Sequence, residues 1–460
     1  MGRESDIHTP VERSLRPSRP GWWRRRPIIL VTACVAVAAL TAGLLASTGA
    51  FSSAGQRPAT TKPALSLPDV PAPAKALTPR QVRAAYHLGP LAAKGIDGSG
   101  QTIVIVDSFG SPTIAADLAF FDHYFGLPPP PSLRVIQPAG PVPAFAVHDS
   151  NRLGWAGETT LDVEWAHVMA PGASIVLVET PTSEDEGTTG FPQIVTAEDY
   201  VLRHRLGQVI SQSFAATEQT FPSVSSIMSF RGPYQLAARD HVTVVAATGD
   251  TGATSDQYNM RDLYTSRAVS WPATDPLVTA VGGTELSLRH DGSRRAPDQA
   301  WSGSGGGQSI AFARPAFQDG VGSVAGSNRG VPDISMDASC RSAVAIYASF
   351  YASGGRWIPE CGTSLAAPLF AGIVALADQY AGHGKAHGLG LINPALYQIA
   401  ARHGPGVVDV QAGNNTQSFA QGGKQYTVPG FAAAPGYDLA SGVGTIDAAS
   451  FVPELARLAR

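Results

Sequence analysis

TIVIVD at residues 102–107 places four β-branched apolar residues in a row, Ile103 to Val106, and ends on Asp107. A strand with one wet face alternates apolar and polar positions, whereas an unbroken run of this kind fits a strand buried on both faces, as in a parallel sheet. Runs of similar character follow at SIVLVE (174–179), VIS (209–211), VTVVAAT (242–248), VTAV (278–281) and VAIYA (344–348). Between them lie helix-like stretches at 158–168, 195–205 and 364–380. Strand and helix in alternation predict an α/β fold, a mostly parallel central sheet flanked by helices, with functional groups on the loops at strand ends.

Outward from that core, the 460 residues are 44% hydrophobic and 15% charged, enough to bury a large interior. A net charge of −3 without a concentrated basic surface argues against a nucleic-acid partner. The one dense basic cluster, Arg24 to Arg26, closes a basic segment, 1–26, and precedes an uncharged, Val/Ala/Leu-rich stretch. That stretch, 27–47, reads as a transmembrane anchor or a signal peptide, so the remainder is expected outside the cytoplasm, extracellular or at the cell surface. Residues 48–76 are a Pro/Ala-rich linker. The folded domain is expected over 77–460, opening on Thr78 as N-cap, Pro79 at the first helical position and Gln81 three residues after the cap.

Of three cysteines, Cys34 lies in the apolar segment, which leaves Cys340 and Cys361 in an oxidising compartment. A disulfide between them is the expected reading, with two free buried thiols as the alternative. The glycine-rich stretches 302–307 and 321–330 read as long surface loops.

The strongest local signal is CGTSLAAPLFAG (361–372), a turn of small residues leading into an apolar helix. Ser364 then sits at a helix N-terminus, where free N–H groups favour developing negative charge, and Pro368 is placed in the first turn. A simple Gly-Thr-Ser helix cap is an equal reading of that stretch alone. A nucleophilic serine needs a base. The Gly-Thr-Ser-x-x-x-Pro pattern resembles subtilisins, and VIVDSFG (104–110) resembles their aspartate strand, yet none of the 11 histidines stands in the context a subtilisin requires. GETTLDVEWAHVMAPGA (157–173) instead offers Glu158 and Asp162, four residues apart and on one helical face. On a surface such a pair costs only about 0.2–0.5 kcal/mol. Buried together among Leu161, Val163, Trp165 and Val168, the two carboxyls would push at least one pKa upward, which suits acid or base work. His167 points away from Glu158 on the helix and reads as structural.

Taken together, these motifs resemble the sedolisin family of serine-carboxyl peptidases, over about 78–450. Glu158, Asp162 and Ser364 match three of the family's catalytic groups, and Asp250 in VVAATGDTGA (244–253) matches the oxyanion-hole aspartate. WPATDPLVTAVGGTEL (271–286), SGGGQS (304–309) and RGVPDISMDA (329–338) are further similar stretches. The resemblance implies a subtilisin-like fold, polypeptide substrates, Glu158 as base oriented by Asp162, and an acidic optimum because Asp250 must be protonated to donate. It also implies one structural calcium ion at DVQAGNN (409–415) and APGYDLASGVG (434–444), held by Asp409, Val410, Ala434, Gly436 and Asp438, with Ala434 where the family has glycine. A monomer is expected, joined to a membrane through 27–47 if that segment is retained. The family's precursors carry a large propeptide, for which the residues before Thr78 leave no room. A catalytically silent, surface-displayed binding protein on the same fold is the alternative. An endopeptidase and a tripeptidyl-peptidase are not separable at this level.

Overall fold

The computed structural model describes residues 72–459 apart from 74, 352–353, 383 and 385–386. The predicted segments 1–26 and 27–47, and most of 48–76, lie outside that range. Among the described residues no helix is long and apolar enough to cross a membrane.

The described chain opens with α1 (Pro79–Ala85), where the Thr78 side chain accepts from the Gln81 backbone and the Gln81 side chain accepts from Thr78, the reciprocal cap expected from the sequence. A central sheet follows. Its strands are β1 (Thr102–Ser108), β2 (Leu133–Ile136), β3 (Ser174–Thr180), β4 (Val209–Gln212), β5 (Thr243–Ala247), β6 (Thr279–Glu285), β7 (Gln299–Ala300) and β8 (Ile334–Asp337). The spatial order is β8-β6-β5-β4-β1-β3-β2, all parallel, with β7 antiparallel against β6. β1 is central: Val104 pairs with Val176 on one side and Ile210 on the other.

The unbroken apolar run of β1 now has its explanation. Ile103 and Ile105 face the core formed with α2 (Ile114–Phe125), α3 (Ser150–Met169), α6 (Thr363–Tyr380) and α7 (Ala448–Leu458), where Phe121, Val163, Phe370 and Phe451 are buried. Val104 and Val106 face the opposite core, under α4 (Phe191–Arg203) and α5 (Gly232–Arg239), with Ile194, Val201 and Tyr234. Helices on both faces give the sheet no wet side, so alternation is absent.

α3 and α6 pack directly on each other. Gly372 lies at their seam: a Cβ there would stand 2.5 Å from the Met169 Cβ and 3.3 Å from the Ala166 carbonyl oxygen. Since α3 carries Glu158 and Asp162 and α6 carries Ser364, this contact sets the spacing of the candidate groups.

Three sequence expectations are corrected. Val344–Ala348 is a strand, but it pairs antiparallel with Arg356–Glu360 outside the central sheet. The short connection between these strands permits a hairpin, whereas a parallel neighbour needs a long crossover. Residues 303–307 are buried rather than a surface loop, because backbone approaches backbone there. A Cβ on Gly305 would lie 2.0 Å from the Thr248 carbonyl oxygen. The stretch 321–330 holds a short helix, Gly322–Ala325, and enters a strand at Asn328. Its Arg329 is wholly buried in a two-pronged pair with Asp333, at 2.6 and 2.5 Å.

Candidate active site

At the carboxyl end of the sheet, where parallel strands release their loops, Glu158, Asp250 and Ser364 line one cleft of about 200 Å³. Ser364 is the second residue of α6, and its hydroxyl faces the Glu158 carboxyl closely enough to favour the ionised form. Pro368 lies in the second turn, not the first. Its missing N–H leaves the Ser364 carbonyl without the usual helical donor, and the Ser213 hydroxyl donates to that oxygen instead, at 3.2 Å. Cys340 and Cys361 are bonded, so the turn before Ser364 is tied to the end of β8. The Gly362 N–H donates to the Ala338 carbonyl beside that bond, at 2.8 Å.

Glu158 and Asp162 share the face of α3 turned to the sheet, and Asp107, at the end of β1, stands against them. All three carboxyls are raised. Burial is the largest cause for Glu158, opposed by the Ser364 hydroxyl and reinforced by Asp107, Asp250 and Glu360. Asp162, wholly buried, is raised by burial and then by Asp107 and Glu158. Burial lifts Asp107 to about 7, with Glu179 adding to it. The nearest hydroxyls, Thr159 beside Asp107 and Ser213 beside Asp162, favour the ionised forms, but neither closes a good hydrogen bond with those carboxyls. Mutually repelling carboxyls with so few donors hold protons in common, and the Ser364 hydroxyl favours the ionised form at Glu158.

Asp250 follows β5 and is the most open of the four, exposed on the cleft wall. Its Oδ1 accepts from the Thr363 backbone N–H at 2.7 Å and from the Thr363 hydroxyl at 2.9 Å. The surrounding protein raises the carboxyl, the Thr363 donors oppose that rise, and cleft water tempers it further. The buried Gly303–Gly307 segment fixes this loop from behind, with Gly305 N–H donating to the Gly249 carbonyl at 2.8 Å. His167 is buried, with Nε2 2.8 Å from the Pro128 carbonyl oxygen, in keeping with a structural part.

Asp107 was set aside in the sequence together with the subtilisin reading; a lone acid closing a wholly apolar strand was the signal for it. Glu184 and Asp256, which also line the cleft, gave no such signal because they sit in polar loops.

Four of the five calcium candidates meet in pairs, Gly436 with Asp409 and Ala434 with Asp438. Val407–Val408 pairs with Thr445–Ile446, and the Gly436 N–H reaches the Asp409 carboxylate at 3.1–3.2 Å. Asp438 is 4% exposed, and its oxygens accept from the Ala434, Ala440 and Ser441 N–H groups. Neither Asp409 nor Asp438 has an ion-pair partner among the described residues. The Ser441 hydroxyl also donates to Asp438, and among the described residues no three carboxylate, histidine or cysteine groups gather closely enough to share an ion, so an oxygen-liganded ion here would depend on backbone carbonyls as well.

So many raised carboxyls bear on stability. Asp107 is pushed to about 7, Glu360 to about 7, and Glu186 and Glu198 each to about 8, with burial the leading cause throughout. A carboxyl raised on folding stabilises the fold below its unfolded pKa and loses that contribution as pH rises through its folded value. The thermal midpoint is therefore expected to be higher at pH 4.5 than at pH 8.5, by several degrees in scanning calorimetry. A midpoint that rises steadily from pH 4.5 to 8.5 would contradict this placement of buried acids.

Comparison with known proteins gives these features a class. The model of the Subtilase family matches residues 148–430. Kumamolisin of Bacillus sp. (strain MN-32) is 31% identical over 389 residues, covering 80% of this chain and 62% of that protein. Tripeptidyl-peptidase sed4 of Aspergillus fumigatus is 28% identical over 434 residues, covering 81% and 66%. The chain thus spans about two thirds or less of the length of these relatives. Among solved structures, a Pseudomonas sedolisin, described as a serine-carboxyl proteinase, superposes with a TM-score of 0.67 at 23% identity, covering 85% of this chain and all of that one. The chain belongs to the subtilase family. Within it, the chain is similar to kumamolisin and to a tripeptidyl-peptidase, in keeping with the resemblance read from its motifs.

Proposed function

We propose that the protein is an exported serine-carboxyl peptidase that hydrolyses peptide bonds at acidic pH. The observation that carries this reading is the Ser364 hydroxyl facing Glu158, with Asp250 on the same cleft wall. Ser364 Oγ attacks the scissile carbonyl carbon and its proton passes to Glu158, which Asp162 and Asp107 hold in place. The carbonyl oxygen becomes an oxyanion and accepts a hydrogen bond from protonated Asp250. The C–N bond then breaks, Glu158 returns the proton to the leaving amine, and water repeats the sequence on the acyl-enzyme. Activity rises as the Glu158 cluster loses its first proton and falls as Asp250 loses its own.

Hydrolysis of a denatured protein by the purified chain, followed from pH 3 to 8, tests the reading. Activity confined to the acid side is expected, and a maximum above neutrality would sink it. A folded, calcium-supplied protein that cleaves nothing at any pH would leave a binding protein on a peptidase fold. Export is supported by the Cys340–Cys361 bond, which needs an oxidising compartment, and by the apolar stretch after Arg26.

One calcium ion, held by the carboxylates of Asp409 and Asp438 and the carbonyls of Val410, Ala434 and Gly436, would tie together the two C-terminal loops. Its part is structural. Chelation is expected to lower the thermal midpoint by about 3 °C or more, and Asp438→Ala to remove that sensitivity. An equal midpoint with and without chelator would exclude the ion.

A further inference from the structure

Thr363, the residue before the nucleophile, does not cap the helix it begins. The N-cap of α6 is Gly362, and no side-chain hydrogen bond caps that end. The Thr363 side chain is buried, and its hydroxyl is turned elsewhere. The Gly249 N–H donates to its Oγ1 at 3.0 Å, and the hydroxyl donates onward to Asp250 Oδ1 at 2.9 Å. The Thr363 backbone N–H reaches the same Oδ1 at 2.7 Å. Gly249 is fixed at the head of this relay, with φ at 103° and its carbonyl oxygen accepting from the Gly305 N–H at 2.8 Å.

The direction of these bonds decides where the Asp250 proton can sit. A hydroxyl has a single proton to give. The Gly249 N–H occupies one side of Thr363 Oγ1, so that proton points at Asp250, and Oδ1 receives two donors. An oxygen so occupied is the carbonyl oxygen of a protonated carboxyl, and the acid's own proton falls to Oδ2. Among the described residues Oδ2 accepts no hydrogen bond. Gly362 keeps its surroundings open, since a Cβ there would stand 2.6 Å from Oδ2. The charged groups that face Asp250 are acids, Glu158 from α3 and Asp256 from its own loop, with Glu184 lining the same cleft. Burial and these charges disfavour its ionised form, and the two Thr363 donors favour it.

We propose that Thr363 is the positioning residue of the oxyanion acid, its hydroxyl keeping the Asp250 proton on Oδ2, toward the carbonyl oxygen of the substrate. The proposal rests on the peptidase reading of the cleft. Without the hydroxyl, one donor remains on Oδ1, the Gly249 N–H loses its acceptor, and the carboxyl is free to turn or to carry its proton on either oxygen. A proton on Oδ1 gives the oxyanion nothing. The hydroxyl also makes Asp250 easier to ionise, so its removal has two effects of opposite sign: the maximum rate falls, and the rate persists to higher pH. A residue that only packed the turn would lower the rate and leave the pH limit in place.

Thr363→Val keeps the shape and removes the hydroxyl, with Thr363→Ala in its place should the valine chain not fold. At pH 4 its kcat on a peptide is expected to fall about tenfold, short of the loss of about 10²–10³ when a donor is removed outright, with KM unchanged. The alkaline limb of kcat is expected to move up by about half a pH unit or more, because a donor to the carboxylate is gone. Thr363→Ser should restore both, and in an Asp250→Asn chain Thr363→Val should leave the alkaline limb where asparagine has put it. The Asp250 carboxyl is also titrated by carbon NMR in the Ser364→Ala chain, with and without Thr363→Val, its signal assigned through Asp250→Asn; the same upward shift is expected. A fall in kcat with limb and titration unmoved, a shift to lower pH, or a serine variant that behaves like valine would each overturn the proposal. An upward shift of the titration in a protein whose unaltered chain cleaves nothing would uphold the coupling of Thr363 to Asp250 and instead sink the peptidase reading.

Discussion

Ser364→Ala is expected to abolish peptide hydrolysis, and Glu158→Gln to lower kcat/KM by about three to four orders of magnitude, as loss of a general base that acts together with its nucleophile does. The two substitutions differ in what else they change. Serine to alanine removes one hydroxyl from the cleft and leaves the buried acids as they are. Glutamine at 158 imitates the protonated glutamate, so it removes a group that loses its proton at a cost when the pH rises. The gain in thermal midpoint of the Glu158→Gln chain over the parent should therefore be larger at pH 8 than at pH 4. Peptide kinetics and calorimetry on the two variants check both parts. Near-parental kcat/KM in Glu158→Gln would remove Glu158 from the mechanism, whatever happened to stability.

Asp250 offers the second large effect, and its sign depends on the replacement. Alanine removes the donor to the oxyanion, a loss of about 10²–10³ in kcat. Asparagine can keep one. Its amide oxygen can take the place of Oδ1, which accepts from the Thr363 N–H and hydroxyl, and its NH₂ then faces the cleft. An amide does not ionise in this range. On the proposed mechanism, activity with aspartate should be lost as pH rises through the raised Asp250 pKa, because the ionised group has no proton to give and repels the oxyanion. With asparagine that limb should move upward in pH, while the acid limb, which belongs to the Glu158 cluster, stays in place. A full pH profile of kcat for both variants decides it, and an alkaline limb unmoved in Asp250→Asn would show that another group controls it.

Much of this was legible in the sequence, for identifiable reasons. Burial on both faces leaves a continuous apolar run, so β1, β3, β4 and β5 could be placed to within a residue or so. Thr78 and Gln81 announced α1 because a capping box is local chemistry. Glu158, Asp162, Asp250 and Ser364 were named by spacing and by resemblance, and the fold brings them to one end of the sheet. What stayed hidden depends on contacts distant in the chain. Gly305 reads as a loop glycine until Thr248 is seen against it, and Val344–Ala348 reads like a sheet strand until its partner at 356–360 is known. The second-turn position of Pro368 has meaning only because Ser213 supplies the missing donor. Glu184 and Asp256 are unremarkable in their loops, and only the cleft makes them neighbours of Ser364.

The seam between α3 and α6 has a consequence for how tolerance to mutation would be distributed over the chain. The proposed base and nucleophile sit on two helices whose separation is set about two turns away, where Gly372 meets Met169 and Ala166. Any side chain at 372 forces the helices apart, and the gap opens between Glu158 and Ser364 without either being touched. In a saturation library scored for function, intolerant positions would then fall in two separate patterns. One outlines the cleft, and the other runs as a line of small residues through the protein interior, out of reach of any substrate.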